Sequence, residues 1–299
     1  DKKKNLFKNK HINVDYKINL NNFKFLSSKL DKHKIDLIIH LAGESTLDNI
    51  NNKNDYYVNN VLATKNLIKI SSLLKIKNII FSSTAAVYAG GLKLLSENSK
   101  IDPKNIYGKT KLICEKLIKK EFGKKNKSYV IFRFFNVCSS YLEKKVGEMH
   151  NPETHLIPIL VNKLINSKNF KIYGDNYKTY DGTCIRDYIH IKDLCIAHEK
   201  AMLQIKKKSI KQIFNLGTSR GFSVLQLAKK VQKLSKDNFN IFFVIKRKGD
   251  LSKLVCTAKK AKKILKWHPK FSNISSIIQD EFKWQKYLLN KKIKIKTIY

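Results

Sequence analysis

The sequence predicts an α/β fold, a doubly wound parallel sheet joined to a second, smaller mixed α/β domain, on three observations. Short apolar runs alternate with longer amphipathic stretches through the first half. That order of strand, helix, strand, helix, strand closes into a parallel sheet through right-handed crossovers. The second half mixes strands and helices less regularly, and no repeat or long Gly/Ser linker interrupts the chain.

The first strand is read at Asp36-Leu37-Ile38-Ile39-His40-Leu41-Ala42, a continuous apolar run of the kind a buried parallel strand shows. Residues 78–83 and 129–135 read the same way. Helical stretches lie between them, near 54–75 and 105–123, the second repeating apolar residues at Leu112, Ile113, Leu117 and Ile118. Later strands are expected at Phe170–Tyr173, Gln212–Leu216 and Asn240–Val244. Helices are expected near 155–167, 192–206, 223–235, 257–266 and 274–290. The first domain is placed at 1–138, with returning segments near 190–218, and the second at 139–299.

A chain of 299 residues with 42% hydrophobic content can bury a sizeable core. No apolar run approaches the ~18 residues of a membrane span. Asp1-Lys2-Lys3-Lys4-Asn5 has no apolar core behind it and is not read as a signal peptide. Cys114, Cys138, Cys184, Cys195 and Cys256 stand far apart, so neither a disulfide framework nor a metal site is expected, and the compartment is read as cytoplasmic. The net charge of +38 is spread over the whole length and travels with Asn and Ile, the mark of a solvated lysine surface rather than a nucleic-acid stripe. Only four of the 61 basic residues are arginines: Arg133, Arg186, Arg220 and Arg247. Where lysine serves almost everywhere, a retained arginine points to a planar fork, such as a phosphate contact.

A dinucleotide-binding sheet carries a glycine-rich turn after its first strand. The 11 glycines here give neither G-x-G-x-x-G nor G-x-x-G-x-x-G. The first strand read above resembles a later one, so the sheet is expected to be incomplete at its N-terminal side, without its first βαβ unit.

Tyr107-Gly108-Lys109-Thr110-Lys111 contains Tyr-x-x-x-Lys, a spacing that puts both side chains on one helix face. An ammonium beside a phenol favours the phenolate, a general base for a sugar hydroxyl. Thr84 follows a strand, 23 residues before Tyr107, at the carboxyl end where ligands of open α/β sheets bind. Its hydroxyl can bridge substrate and phenol.

Tyr107, Lys111 and Thr84 resemble the catalytic triad of the extended short-chain dehydrogenases/reductases. The stretches Gly147–Pro158 (GEMHNPETHLIP) and Tyr173–His190 (YGDNYKTYDGTCIRDYIH) are similar to those of the UDP-hexose 4-epimerases within that family. His40–Gly43, Tyr57–Val61, Arg133–Asn136 and Arg247–Asp250 support this likeness, which runs in order over essentially the whole chain. It implies a Rossmann-like NAD-binding domain and a nucleotide-sugar-binding domain. It implies that Asp15 meets the adenine, and that Leu41, Ala42 and Gly43 line the NAD site with Asn60 and Phe134 beside them. Lys111 would hold the nicotinamide ribose. Asn136, Arg186 and Arg247 would meet the substrate diphosphate, His155, Leu156 and Tyr173 the nucleotide, and Asp250 the uridine ribose. The implied reaction is reversible C4 epimerisation of UDP-galactose and UDP-glucose with NAD. The implied assembly is a homodimer joined through the helices near 54–75 and 105–123.

Alternatives stay open. A dehydratase of the family would need an acid after the hydroxyl residue, and Ala85 and Ala86 follow Thr84. Other UDP-sugars, N-acetylhexosamines or uronic acids, remain candidates, with Leu254 at the position that gates acetylated sugars. Ser45 stands where some relatives carry a lysine near the pyrophosphate. An inactive homologue is a further reading, against which stand Tyr107, Lys111, Thr84, Arg186, Arg247 and Asp250, all present.

Overall fold

The computed structural model describes residues 18–45, 53–150, 152–166, 168–234, 240–247 and 249–293. Asp15, and the strand expected near it, lie outside the described residues. Two compact units result. The first comprises the described parts of Asp1–Val87, Asp102–Arg133 and Ala201–Ile213; the second comprises those of Tyr88–Ile101, Phe134–Lys200 and Phe214–Tyr299.

The first unit opens with α1 (Phe23–Leu30), started by Asn22, whose side chain accepts the Phe25 N–H at 3.1 Å. Strand β1 (Ile38–His40) follows, then α2 (Lys53–Tyr56), a π-helical turn (Tyr57–Leu62) and α3 (Ala63–Leu73). Next come β2 (Asn78–Thr84), α4 (Ile106–Phe122) and β3 (Ser128–Phe134). With β7 (Lys211–Leu216) these strands form one sheet in the order β1-β2-β3-β7, and β1 runs parallel to β2 with Ile39 opposite Ile80. The core joins sheet to helices: Val61, Ile79, Phe81, Ile118, Phe122 and Ile131 pack in one cluster. Leu26 of α1 packs with Leu67 and Ile70 of α3 in another.

The first strand is shorter and more open than the expected 36–42. It spans Ile38–His40, with Ile39 39% and Leu41 64% exposed. Among the described residues β1 has a neighbour on one side only, so its apolar run is not covered as that of a central strand would be. The helix expected near 54–75 is divided by its π turn, where one extra residue per turn re-aims the side chains.

The second unit contains β4 (Asn136–Cys138), α5 (Leu156–Ile165), β5 (Phe170–Tyr173) and β6 (Ile185–His190). Helix α6 (Ile191–Lys207) begins there, followed by β8 (Gly221–Ser223), α7 (Val224–Gln232), β9 (Ile241–Val244) and β10 (Lys253–Leu254). Helices α8 (Lys259–Leu265) and α9 (Ile274–Asn290) complete it. Strand β6 lies between β10 and β4, parallel to both, and also pairs antiparallel with β8; β5 and β9 form a separate parallel pair. Leu160 and Val161 of α5, Leu227 and Val231 of α7 and Ile277 of α9 share one core. Ser223 starts α7 with a capping box closed by Gln226.

Strand β6 has no apolar alternation in Ile-Arg-Asp-Tyr-Ile-His. Its buried Asp187 is satisfied within the unit instead. Asp187, fully buried, accepts the Thr218 N–H and hydroxyl, both at 2.7 Å, and the Ser219 N–H at 3.1 Å.

Candidate active site

Glycine sets the place of Tyr107. A Cβ at Gly108 would overlap the Ala86 carbonyl oxygen and meet Pro103. Its absence lets the first turn of α4 approach the short 3₁₀ turn after β2, where Thr84 ends the strand. Asn105 caps α4, its side chain accepting the Gly108 N–H at 2.7 Å. Thr84 is buried and its hydroxyl oxygen accepts the Ala86 N–H at 3.1 Å. Tyr107 is half-buried, with the Thr84 side chain in hydrogen-bonding reach.

The titration of Tyr107 corrects the sequence reading. Burial pushes the phenol up to about 12; Thr84 pulls it down and Tyr56 pushes it further up. The Lys111 ammonium lies 4.5 Å above the Phe81 ring centroid. Lys111 itself is brought down to about 8 by burial, against the opposing pull of Cys114 and Glu115.

The segment after β1 is tied to the same helix by Asn60, which the π turn directs inward. Asn60 Oδ1 accepts the Glu44 N–H at 2.7 Å, and Nδ2 donates to the Glu44 carbonyl at 3.2 Å and the Thr110 hydroxyl at 3.0 Å. Leu41, Ala42 and Gly43 are exposed there. A Cβ at Gly43 would stand 2.7 Å from Asn60 Oδ1 and 3.6 Å from Lys111 Nζ. Bare backbone at the carboxyl end of a parallel strand, with a buried lysine ending beside it, fits a dinucleotide.

Two features of this unit escaped the sequence reading. Glu115 holds Arg133 in a buried fork, Nε to Oε1 at 2.9 Å and Nη2 to Oε2 at 2.6 Å, and accepts the Ser83 hydroxyl at 2.5 Å. Its spacing of four from Lys111 was the available signal. Arg133 is thus engaged internally, not on a phosphate. The second is His40, buried with Nε2 2.9 Å from the Thr64 hydroxyl. Burial, assisted by Lys111, lowers its imidazole to about 3.

In the second unit, alternation along β6 sets Arg186 on the face opposite Asp187. Arg186 Nη1 donates to the carbonyls of Leu251 at 2.7 Å and Ile185 at 3.0 Å, and Nη2 lies 4.0 Å from Asp250 Oδ1. The Arg247 guanidinium sits 4.0 Å from the centroid of the Tyr173 ring, at the end of β5. Asn136 is exposed on β4, opposite Tyr188 of β6 in register. Phe134, half-buried, ends β3. Leu156 begins α5 and His155 precedes it as N-cap. The His155 side chain turns onto Glu148, with Nδ1 against Oε1. The carboxylates of Glu148 and Glu153 push His150 up to about 10. Arg186 and Asp250 are thus brought together, as are Arg247 and Tyr173. Among the described residues no helix is long and apolar enough to cross a membrane.

Comparison with known proteins bears on the family and the fold. The model of the NAD-dependent epimerase/dehydratase family matches residues 2–217. A UDP-glucose 4-epimerase of Halalkalibacterium halodurans is 34% identical over 269 residues, covering 88% of this chain and 80% of that protein. The crystal structure of UDP-glucose 4-epimerase from Bifidobacterium longum, in complex with NAD+ and UDP, superposes with a TM-score of 0.85 at 28% identity, covering 92% of this chain and 83% of that one. The UDP-Glc/GlcNAc 4-epimerase of Campylobacter jejuni gives a TM-score of 0.76 at 31% identity, over 91% and 84%. The expected Rossmann-like α/β fold therefore holds.

Proposed function

The chain belongs to the NAD-dependent epimerase/dehydratase family, among its UDP-sugar 4-epimerases, and from that premise we propose that it interconverts UDP-galactose and UDP-glucose by inverting the hexose C4. The observation that carries the proposal is the seating of Tyr107 at the bare N-terminal turn of α4, in hydrogen-bonding reach of Thr84, with Lys111 buried one turn on.

Tyr107, as the phenolate, takes the proton of the C4 hydroxyl and becomes the phenol, and the Thr84 hydroxyl favours the phenolate beforehand. With its phenol at about 12, Tyr107 is scarcely ionised to the phenolate that can act as base until positive charge arrives, so catalysis depends on loading the site. NAD, when bound, would supply the hydride chemistry at C4. Leu41, Ala42, Gly43, Asn60 and Lys111 would hold it, with Asn60 fixing the segment after β1. Arg186 and Arg247 neutralise the substrate diphosphate, with Asn136 as a further donor. Tyr173, His155, Leu156 and Asp250 take the nucleoside end. Because the His155 imidazole is occupied by Glu148, that position serves the nucleotide through its backbone. A firm grip on the nucleotide and a loose grip on the hexose let the 4-keto sugar present either face, and positioning supplies much of the rate.

Acceptance of UDP-N-acetylglucosamine as well is the second reading, supported by the likeness to the Campylobacter jejuni enzyme. A homodimer and a cytoplasmic setting belong to the same proposal; free thiols at Cys114, Cys138, Cys184, Cys195 and Cys256 suit a reducing compartment. The test is Tyr107→Phe, assayed with NAD and UDP-galactose. Epimerisation falls by at least ~100-fold, while UDP binding stays within about twofold by the same reasoning. Full activity of the variant contradicts the assignment.

A further inference from the structure

We propose that Glu148, His150, Glu153 and His155, in the segment entering α5, form a binding site for a divalent metal ion of borderline softness, zinc in the first instance. The inference concerns the side chains of this cluster, whereas the epimerase reading uses it only through the His155 backbone.

One ligand atom from each residue lies within 4.8 Å of all the others. The two imidazoles point the same atom, Nδ1, at the same two carboxylate oxygens. His150 Nδ1 is 2.7 Å from Glu148 Oε1 and 3.7 Å from Glu153 Oε1. His155 Nδ1 is in contact with Glu148 Oε1 and 3.9 Å from Glu153 Oε1. Four ligand atoms gathered around a common centre are the arrangement of a coordination sphere. Metal–ligand bonds of ~2.0 Å at tetrahedral angles separate neighbouring ligand atoms by about 3.3 Å; three of the four imidazole–carboxylate separations, 2.7, 3.7 and 3.9 Å, bracket that value, and the fourth, His155 Nδ1 to Glu148 Oε1, is closer.

One further observation points to an absent partner. Glu153 is 1% exposed, and its Oε2 is buried without a partner. An uncompensated buried carboxylate oxygen is costly. The supports expected of a metal site are also present. Glu153 Oε1 accepts the Thr154 and His155 N–H groups, each at 2.8 Å, which fixes the carboxylate plane. Trp284 of α9 donates to the Glu148 carbonyl at 2.8 Å, which fixes that residue's backbone.

The donor set selects the ion. Two neutral imidazoles and two carboxylates neutralise a 2+ charge and suit zinc or a neighbouring first-row metal, rather than calcium or magnesium, which take oxygen donors. All four ligands come from eight consecutive residues. The ion would therefore close Glu148–His155 into a rigid turn ahead of Leu156, as a structural clasp.

The test uses the full chain, stripped with a chelator and dialysed against Zn²⁺ in micromolar excess. One zinc per chain is expected in the wild type and in His268→Ala, an exposed histidine elsewhere, and none in His150→Ala. Co²⁺ added to the stripped wild type should give the visible absorption of a four-coordinate centre, a reading that needs no variant to fold. No stoichiometric zinc, no cobalt spectrum, or full uptake by His150→Ala overturns the proposal. Each of those results would leave the cluster as an ordinary imidazolium–carboxylate network.

Discussion

Glu115, one helical turn beyond Lys111 on α4, grips Arg133 of β3 through two bonds of 2.9 and 2.6 Å, and both side chains are buried. The pair fastens the helix that carries Tyr107 and Lys111 to the sheet. Removing one partner leaves the other charged and unpaired in the core. Glu115→Gln should therefore lower unfolding stability by about 3–5 kcal/mol, read by denaturant titration. A loss below about 1 kcal/mol, the level of a surface pair, would show that the fork does not anchor α4.

Gly108→Ala tests the approach of α4 to the strand end. The added Cβ overlaps the Ala86 carbonyl, so the first turn of α4 must move away from Thr84. A displacement near 1 Å costs about 100-fold in rate. We expect kcat to fall by that order with UDP affinity retained. Unchanged kcat would mean that the close approach does not position Tyr107.

His40 gives a pH dependence. Its folded pKa of about 3 lies below the unfolded 6.5, so the unfolded chain binds the extra proton between these values. The stability contributed is complete above pH 6.5 and is lost as pH falls through the window. Between pH 7 and 4.5 the wild type should lose about 2–3 kcal/mol more than His40→Gln. Parallel profiles for the two proteins would contradict the burial of a neutral imidazole.

Arg186→Lys keeps the charge but loses the two carbonyl bonds that orient the guanidinium. UDP-glucose affinity should fall about tenfold, about 1.4 kcal/mol. Calorimetric titration with UDP-glucose measures it, and unchanged affinity would remove Arg186 from the diphosphate site.

Much of the alternating architecture was legible because buried runs such as Ile79–Phe81 and amphipathic stretches such as α4 carry clear periods. Strand β5 lies where it was expected, at Phe170–Tyr173. Strand β6 was not legible, since Arg186, Asp187 and His190 break any apolar alternation and only distant partners, such as Thr218 for Asp187, explain their burial. Tyr107, Lys111 and Thr84 were readable as a motif. The titration of Tyr107 was not, because its upward shift comes first from burial, which only the folded chain sets. The cluster at Glu148–His155 was hidden by spacing that matches no common metal motif.

The most direct test of the central claim is the fate of a deuterium placed at C4 of the hexose of UDP-galactose. Hydride removal and return within one site predicts UDP-glucose that keeps the label at C4, with no exchange into solvent water. Loss of the label to solvent, or its transfer to another carbon, would contradict C4 epimerisation by hydride transfer in this protein.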